Sequence, residues 1–318
     1  MQQRISKLSA ALLAAGLTSS ASAAVFMPDP GPLYFQFTNL EQIDTRVDGS
    51  GNPVNGISNG AGGTEGNWGI VQLSSFRLGT PVNGGAQVVG NDIDSAGTAV
   101  DFADGVFPTF GNQITGIFWD VQQTSVTTSG SVVELASTGG FLDLWYDEPG
   151  LAGGGTTVNI GSAVPGDRTG PNAFTGFTDG IYLGRLAFAS GIDPLDGTTT
   201  VQGEVDLSLT NNSGFADSYG NVVADVDGDG IEYEPIDDGA WSLLLDSDYF
   251  GTVFGTRDVR FSTKLDTNDA WDGDPGVLGF TSNDPGRAFV VPEPTSLALM
   301  GLGLMGVGFG SRLRARKA

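Results

Sequence analysis

The 318-residue chain contains no cysteine and no histidine. Without cysteine the chain can form neither disulfides nor a thiolate nucleophile, and without either residue the Ser-His-Asp triad and the usual zinc sites are excluded. The glycine-rich segments also lack a Walker lysine and a strand–GxGxxG–helix context, so no nucleotide-binding fingerprint is present.

Basic residues are scarce, with 14 Lys and Arg against 37 Asp and Glu, for a net charge of −23. Six of the bases lie at the two ends of the chain, so the segment between them carries eight bases and all 37 acids, a net charge of −29. A surface this acidic repels phosphate groups instead of exchanging them for counterions. The composition therefore predicts no nucleic-acid partner.

Glycine is abundant, at 50 residues, yet it follows no G-X-Y period of the collagen kind. Hydrophobic residues make up 39% of the chain and aromatic residues 9%, which is enough to build a core. The composition thus excludes both a collagen-like fibre and a wholly disordered chain.

Apolar and polar residues alternate in short runs that are separated by Gly, Pro, Asn and Asp, as in half-buried antiparallel strands. The clearest runs are Asp258–Leu265 and Val201–Leu209. Further predicted strands are Leu33–Phe37, Trp68–Leu73, Ile114–Val121, Val132–Leu135, Phe141–Tyr146, Ile181–Ala189 and Trp241–Leu245. This pattern predicts an all-β fold, an antiparallel β-sandwich or jelly roll with long Gly-rich loops.

The N-terminus has the three parts of a secretory signal peptide. Arg4 and Lys7 provide the positive charge, residues 8–17 form a short apolar core, and Ala21-Ser22-Ala23 forms a small-residue cleavage site. The apolar core is too short to span a bilayer. We therefore predict that signal peptidase removes residues 1–23 and that the mature chain begins at Ala24.

The C-terminus has a second apolar segment, residues 295–311, which contains no charged residue. As a helix it reaches about 25 Å, slightly less than a bilayer core, so a short transmembrane helix is predicted. The basic residues that follow would stop translocation on the cytoplasmic side: Arg312, Arg314, Arg316 and Lys317. Both basic ends are then cytoplasmic during a transient insertion into the inner membrane, and the acidic segment lies outside.

Pro292, Glu293 and Pro294 stand directly before this apolar segment. The two prolines hold the chain extended, a form that a protease groove can bind. The order Pro-Glu-Pro, apolar helix and Arg-rich tail resembles the PEP-CTERM sorting signal of Gram-negative bacteria. The alternative is an ordinary C-terminal anchor that follows a chance Pro-Glu-Pro.

The resemblance implies that an exosortase, a membrane-embedded cysteine protease, removes the tail. It also implies delivery to the cell surface or extracellular matrix, in association with exopolysaccharide and biofilm. The expected organisation is a signal peptide at 1–23, an exported acidic β-rich domain at 24–290 and the sorting signal at 291–318.

One acidic segment has the spacing of a calcium loop: Asp225, Asp227 and Asp229 alternate before a glycine, and Ile231 would offer its carbonyl oxygen. Calcium takes six to eight oxygen ligands, which alternate residues of a turning loop can supply. The match to an EF-hand fails at the twelfth position, where the bidentate acid is replaced by Ile236. A calcium ion that staples the loop and a solvated acidic turn both fit these residues.

Two features allow a reading as an enzyme or a sugar-binding protein. Paired carboxylates can hydrolyse glycosides, and Asp143, Asp147 and Glu148 are the candidates because they lie beside aromatic residues. Trp271, set among acids and glycines, is the tryptophan we would first test for stacking on a sugar. Acids are so abundant that such pairs arise by chance, so we expect a non-enzymatic protein; the alternative is a secreted polysaccharide-active enzyme.

Overall fold

The computed structural model describes residues 30–78, 100–101, 112–148 and 153–291. The predicted signal peptide with Ala21, Ala23 and Ala24, the Pro292–Pro294 motif, the apolar segment 295–311 and the basic tail lie outside these residues. Within the described part, no helix is long and apolar enough to cross a membrane.

The described residues fold into short and long strands with little helix, which confirms the predicted all-β class. The strands are β1 (Gly31–Asp44), β2 (Ile57–Ser58), β3 (Thr64–Glu65), β4 (Asn67–Leu78), β5 (Val100–Asp101), β6 (Gln113–Ser129), β7 (Val132–Asp147), β8 (Arg168–Gly170), β9 (Ala173–Phe174), β10 (Ile181–Ala189), β11 (Val201–Asp206), β12 (Gly214–Val222), β13 (Phe250–Thr252), β14 (Gly255–Arg257), β15 (Val259–Thr267) and β16 (Val277–Val290). The helices are α1 (Ser242–Leu245) and three 3-10 turns at Ile160–Ser162, Pro165–Asp167 and Asp269–Trp271.

The long strands form one ten-stranded antiparallel sheet, whereas the sequence pattern suggested two packed sheets. Going round it, β1 pairs with β16, then come β15 and β12, then β10 and β11 side by side, then β7, β6 and β4. Because β4 also pairs with β1, the ladder of hydrogen bonds closes on itself. The closure leaves the long strands without an open edge, where another chain could otherwise pair.

The inside of the closed sheet is filled by alternate residues of each strand, as the two-residue period of a strand requires. Phe35 and Phe37 of β1 pack there with their ring centroids 5.2 Å apart. Both rings contact Phe261 of β15, with centroids 6.1 and 6.4 Å away. Leu142 and Leu144 of β7 belong to the same buried cluster.

A second apolar cluster lies on the outer face of β1, β4, β6 and β7. Trp68 and Trp145 belong to it, and loop residues Phe174, Phe177 and Trp271 cover it. The loops that cover this face therefore belong to the folded core and bury its outward-facing tryptophans.

Three predicted elements differ in the structure. The apolar run Trp241–Leu245 forms helix α1 instead of a strand, because a short apolar run does not distinguish the two. The separate strands predicted at 132–135 and 141–146 are both parts of β7. The strand predicted at Val201–Leu209 ends at Asp206.

Candidate functional site

The acidic loop follows β12 and brings the predicted carboxylates together. One oxygen from each of Asp225, Asp227 and Asp229 lies within 4.8 Å of the others. The loop is closed at its base, where the Tyr233 N–H donates to the Ala224 carbonyl at 2.7 Å.

Hydrogen bonds within the loop fix its curvature. The Asp225 carboxylate accepts from the backbone N–H groups of Gly228 at 2.7 Å and Gly230 at 3.0 Å, and Asp229 accepts from the Ile231 N–H at 2.7 Å. Gly228 and Gly230 have φ of 79° and 89°, which glycine adopts without steric cost. The same turns account for the convergence of the carboxylates with or without an ion.

Asp238 holds the two ends of the loop together by hydrogen bonds, a role that its sequence position did not reveal. It is 1% exposed and accepts from the N–H groups of Val226 at 2.6 Å and Glu234 at 2.8 Å. Partial desolvation, followed by the negative charges of Asp229 and Asp237, raises the pKa of Glu234.

The residues of the loop fit a calcium ion in their chemistry, because all of the offered ligand atoms are hard oxygens. Ile231 is 54% exposed, and Ile236, at the twelfth position of an EF-hand loop, is 85% exposed and apolar. The set therefore offers three carboxylates without the bidentate acid, and water would complete the coordination. Such an open site suits the weak, millimolar class of calcium modules.

The first carboxylate candidate for catalysis, Asp143, is a buried structural ion pair. It is 0% exposed, and the Arg185 guanidinium donates to its two oxygens at 2.6 and 2.8 Å. Trp119, Asn172 and Tyr182 donate to the same carboxylate at 3.1–3.2 Å. These five hydrogen bonds occupy both oxygens and hold loop residue Asn172 to the sheet.

The second candidate, Asp147, is also 0% exposed but is only half satisfied. Its Oδ2 accepts from the Thr115 hydroxyl at 2.9 Å, whereas its Oδ1 has no hydrogen-bond partner among the residues that the structure describes. A side chain at Gly155 or Gly180 would collide with that oxygen. Burial raises the pKa of Asp147 to about 7, the Thr115 hydrogen bond opposes the shift, and the charge of Asp179 adds to it.

The two aspartates are poorly spaced for glycoside hydrolysis. Asp143 and Asp147 lie four residues apart on the same face of β7, which separates their Cα atoms by about 13 Å. Retaining and inverting glycosidases need carboxyl groups about 5–5.5 Å or 6.5–9.5 Å apart. Glu148 is the next residue after the strand ends, so it does not share the outward face of Asp147.

The tryptophans contribute to the core. Trp271 is 1% exposed and packs 5.6 Å from Trp68, and its indole N–H donates to the Ala163 carbonyl at 3.1 Å. The polar sequence around Trp271 concealed this burial, so its face is not available to stack on a sugar.

Comparison with known proteins gives one match. Residues 290–317 match the family described as the PEP-CTERM protein-sorting motif. No curated protein and no solved structure matches the chain. The chain therefore carries a PEP-CTERM sorting motif, which implies an exported protein that an exosortase processes.

Proposed function

We propose that the chain is a non-enzymatic protein of the cell surface or extracellular matrix that associates with exopolysaccharide in a biofilm. The observation that carries the proposal is the sorting motif at residues 290–317. Export would begin with removal of residues 1–23 by signal peptidase. The helix at 295–311 and the basic tail would then hold the chain in the inner membrane until an exosortase acts near Pro292–Pro294.

The geometry of the carboxylates supports a binding role over catalysis. Arg185 pairs with Asp143, and the Cα atoms of Asp143 and Asp147 lie about 13 Å apart, which does not favour a catalytic pair. The competing proposal is a secreted polysaccharide-active enzyme. The observation in its favour is the pKa of Asp147 near 7, since a general acid must hold its proton at neutral pH.

We further propose that calcium staples the loop that carries Asp225, Asp227, Asp229 and Ile231. The convergence of the three carboxylates supports this proposal. The ion would supply charge compensation in a protein of strongly negative net charge, and its role would be structural.

Co-sedimentation tests the function directly. The extracellular protein, purified from the medium of a producing strain, is mixed with the producer's exopolysaccharide, in calcium or in chelator, and the supernatant is assayed for new reducing ends. We expect the protein in the pellet and no reducing ends. Released reducing ends would support the enzyme, and protein left in the supernatant under both conditions would refute polysaccharide association.

A further inference from the structure

An unusual row of basic and aromatic residues crosses the outer face of the closed sheet. The register aligns Tyr34 of β1 with Arg287 of β16, Arg287 with Arg260 of β15, and Arg260 with Tyr219 of β12. Two of the eight bases between the chain's basic ends thus fall in one cross-strand row. From Tyr34 to Tyr219 the row crosses three strand spacings, about 14 Å.

The row works against folding stability. Arg260 and Arg287 stand directly opposite each other, and like charges in that position are destabilising. Arg46, Arg168 and Arg185 each form an ion pair with a carboxylate, whereas Arg287 forms none with a described residue. Within the described part of the chain, the buried Nε of Arg287 has no hydrogen-bond acceptor, an arrangement that costs free energy.

Aromatic rings surround the Arg287 guanidinium. Its Cζ lies 5.3 Å from the ring centroid of Tyr34 and 5.8 Å from those of Tyr249 and Phe250. Tyr249 in turn stacks on Phe289 with centroids 5.0 Å apart and ring planes at 10°. Tyr249 is 46% exposed and Arg287 is half-buried, so an exposed ring lies beside a partly covered cation.

This combination indicates the class of ligand. The terminal nitrogens of a guanidinium match a carboxylate, and a flat aromatic ring matches the apolar face of a sugar. Asp248, next to Tyr249 in the chain, is an exposed negative charge close to these rings, whereas charges beyond about 8 Å are screened at physiological ionic strength. We propose that Arg287, Arg260 and Tyr249 form a binding site for an acidic saccharide, with the uronate carboxylate on Arg287 and the sugar ring on Tyr249.

The proposal rests on polysaccharide association and makes it specific for acidic sugars. Its test is calorimetric titration of the full chain, in mild detergent, with oligogalacturonate and with the same oligomer as its methyl ester. We expect binding of the acid and at least tenfold weaker binding of the neutral ester. Arg287→Gln should weaken binding of the acid about tenfold, as loss of a charge-assisted contact does.

Lys264→Gln is the matched control, because Lys264 lies four residues from Arg260 on the same strand and is exposed. We expect less than a twofold change in this variant. If Arg287→Gln does not fold, Tyr249→Ala, at an exposed position, should show the loss instead. Equal binding of acid and ester, or equal losses in Arg287→Gln and Lys264→Gln, would overturn the proposal.

The outcome separates this site from the wider function. If Arg287→Gln still sediments with the producer's exopolysaccharide as the wild type does, the proposed site is wrong and polysaccharide association stands. If the wild type fails to sediment with exopolysaccharide but binds oligogalacturonate through Arg287, association with that matrix is wrong and the site stands.

Discussion

The buried carboxyl of Asp147 should make folding stability depend on pH in a way that one substitution removes. The unfolded chain titrates this group near pH 3.9, whereas burial raises the pKa in the folded protein to about 7. Between these values the unfolded state releases the proton while the folded state keeps it. Stability from Asp147 is therefore fully present below about pH 4 and is lost as pH rises to about 7.

The size of the effect follows from the shift. Three pKa units correspond to about 4 kcal/mol, and relaxation and water entry reduce this to about 2–4 kcal/mol. Other carboxylates act in the opposite direction: hydrogen bonds from Thr198 lower the pKa of Asp196, for example. The contribution of Asp147 must therefore be measured as a difference between two variants.

Urea unfolding of the wild type and of Asp147→Asn at pH 4, 5, 6, 7 and 8 gives that difference. The free energy of unfolding of Asp147→Asn, relative to the wild type, should rise by about 2–4 kcal/mol from pH 4 to pH 7 and then stay level. Thr128→Ala, at an exposed uncharged position on β6, should give a difference that does not vary with pH. A constant difference for Asp147→Asn as well would refute the burial argument.

The remaining predictions concern structural roles. Asp143→Asn should lower the free energy of unfolding by about 3–5 kcal/mol in urea, because it leaves Arg185, whose side chain is only 16% exposed, without its counter-charge; a loss below 1 kcal/mol would contradict a stabilising ion pair. Trp271→Ala should cost about 3–5 kcal/mol in the same assay, and a variant as stable as the wild type would place Trp271 outside the core. In calorimetry, 10 mM calcium should add about 1.4–2.7 kcal/mol of stability if its Kd is about 10⁻⁴–10⁻³ M. Asp227→Ala should abolish that gain and Asp237→Ala, a matched charge change, should keep it; no gain in the wild type would exclude the calcium staple.

Strands with a regular alternation were the part of the fold that the sequence could predict. β10 was predicted with its observed bounds, Ile181–Ala189. β12 and β16 were missed because glycine and polar residues interrupt their apolar pattern, and β16 also contains Pro285. Their pairing with β15 and β1 supplies the hydrogen bonds that a local pattern does not reveal.

The two candidate sites also differ in how far the sequence could predict them. The acidic loop is local, so the spacing of Asp225, Asp227 and Asp229 was enough to predict that they converge. The arginine row depends on register, since Arg260 and Arg287 are neighbours only because β15 pairs with β16. Residues that are scattered in sequence become a site only when the sheet closes.

The most direct test of the account is the intact mass of the extracellular protein from a producing strain. If the chain is sorted through the PEP-CTERM motif, residues 1–23 and the apolar tail are both absent from the extracellular protein. A variant with Pro292→Ala and Glu293→Gln should stay in the membrane fraction with its tail attached. Extracellular protein that retains residues 295–318, or a variant that is processed and released like the wild type, would contradict sorting through the PEP-CTERM motif.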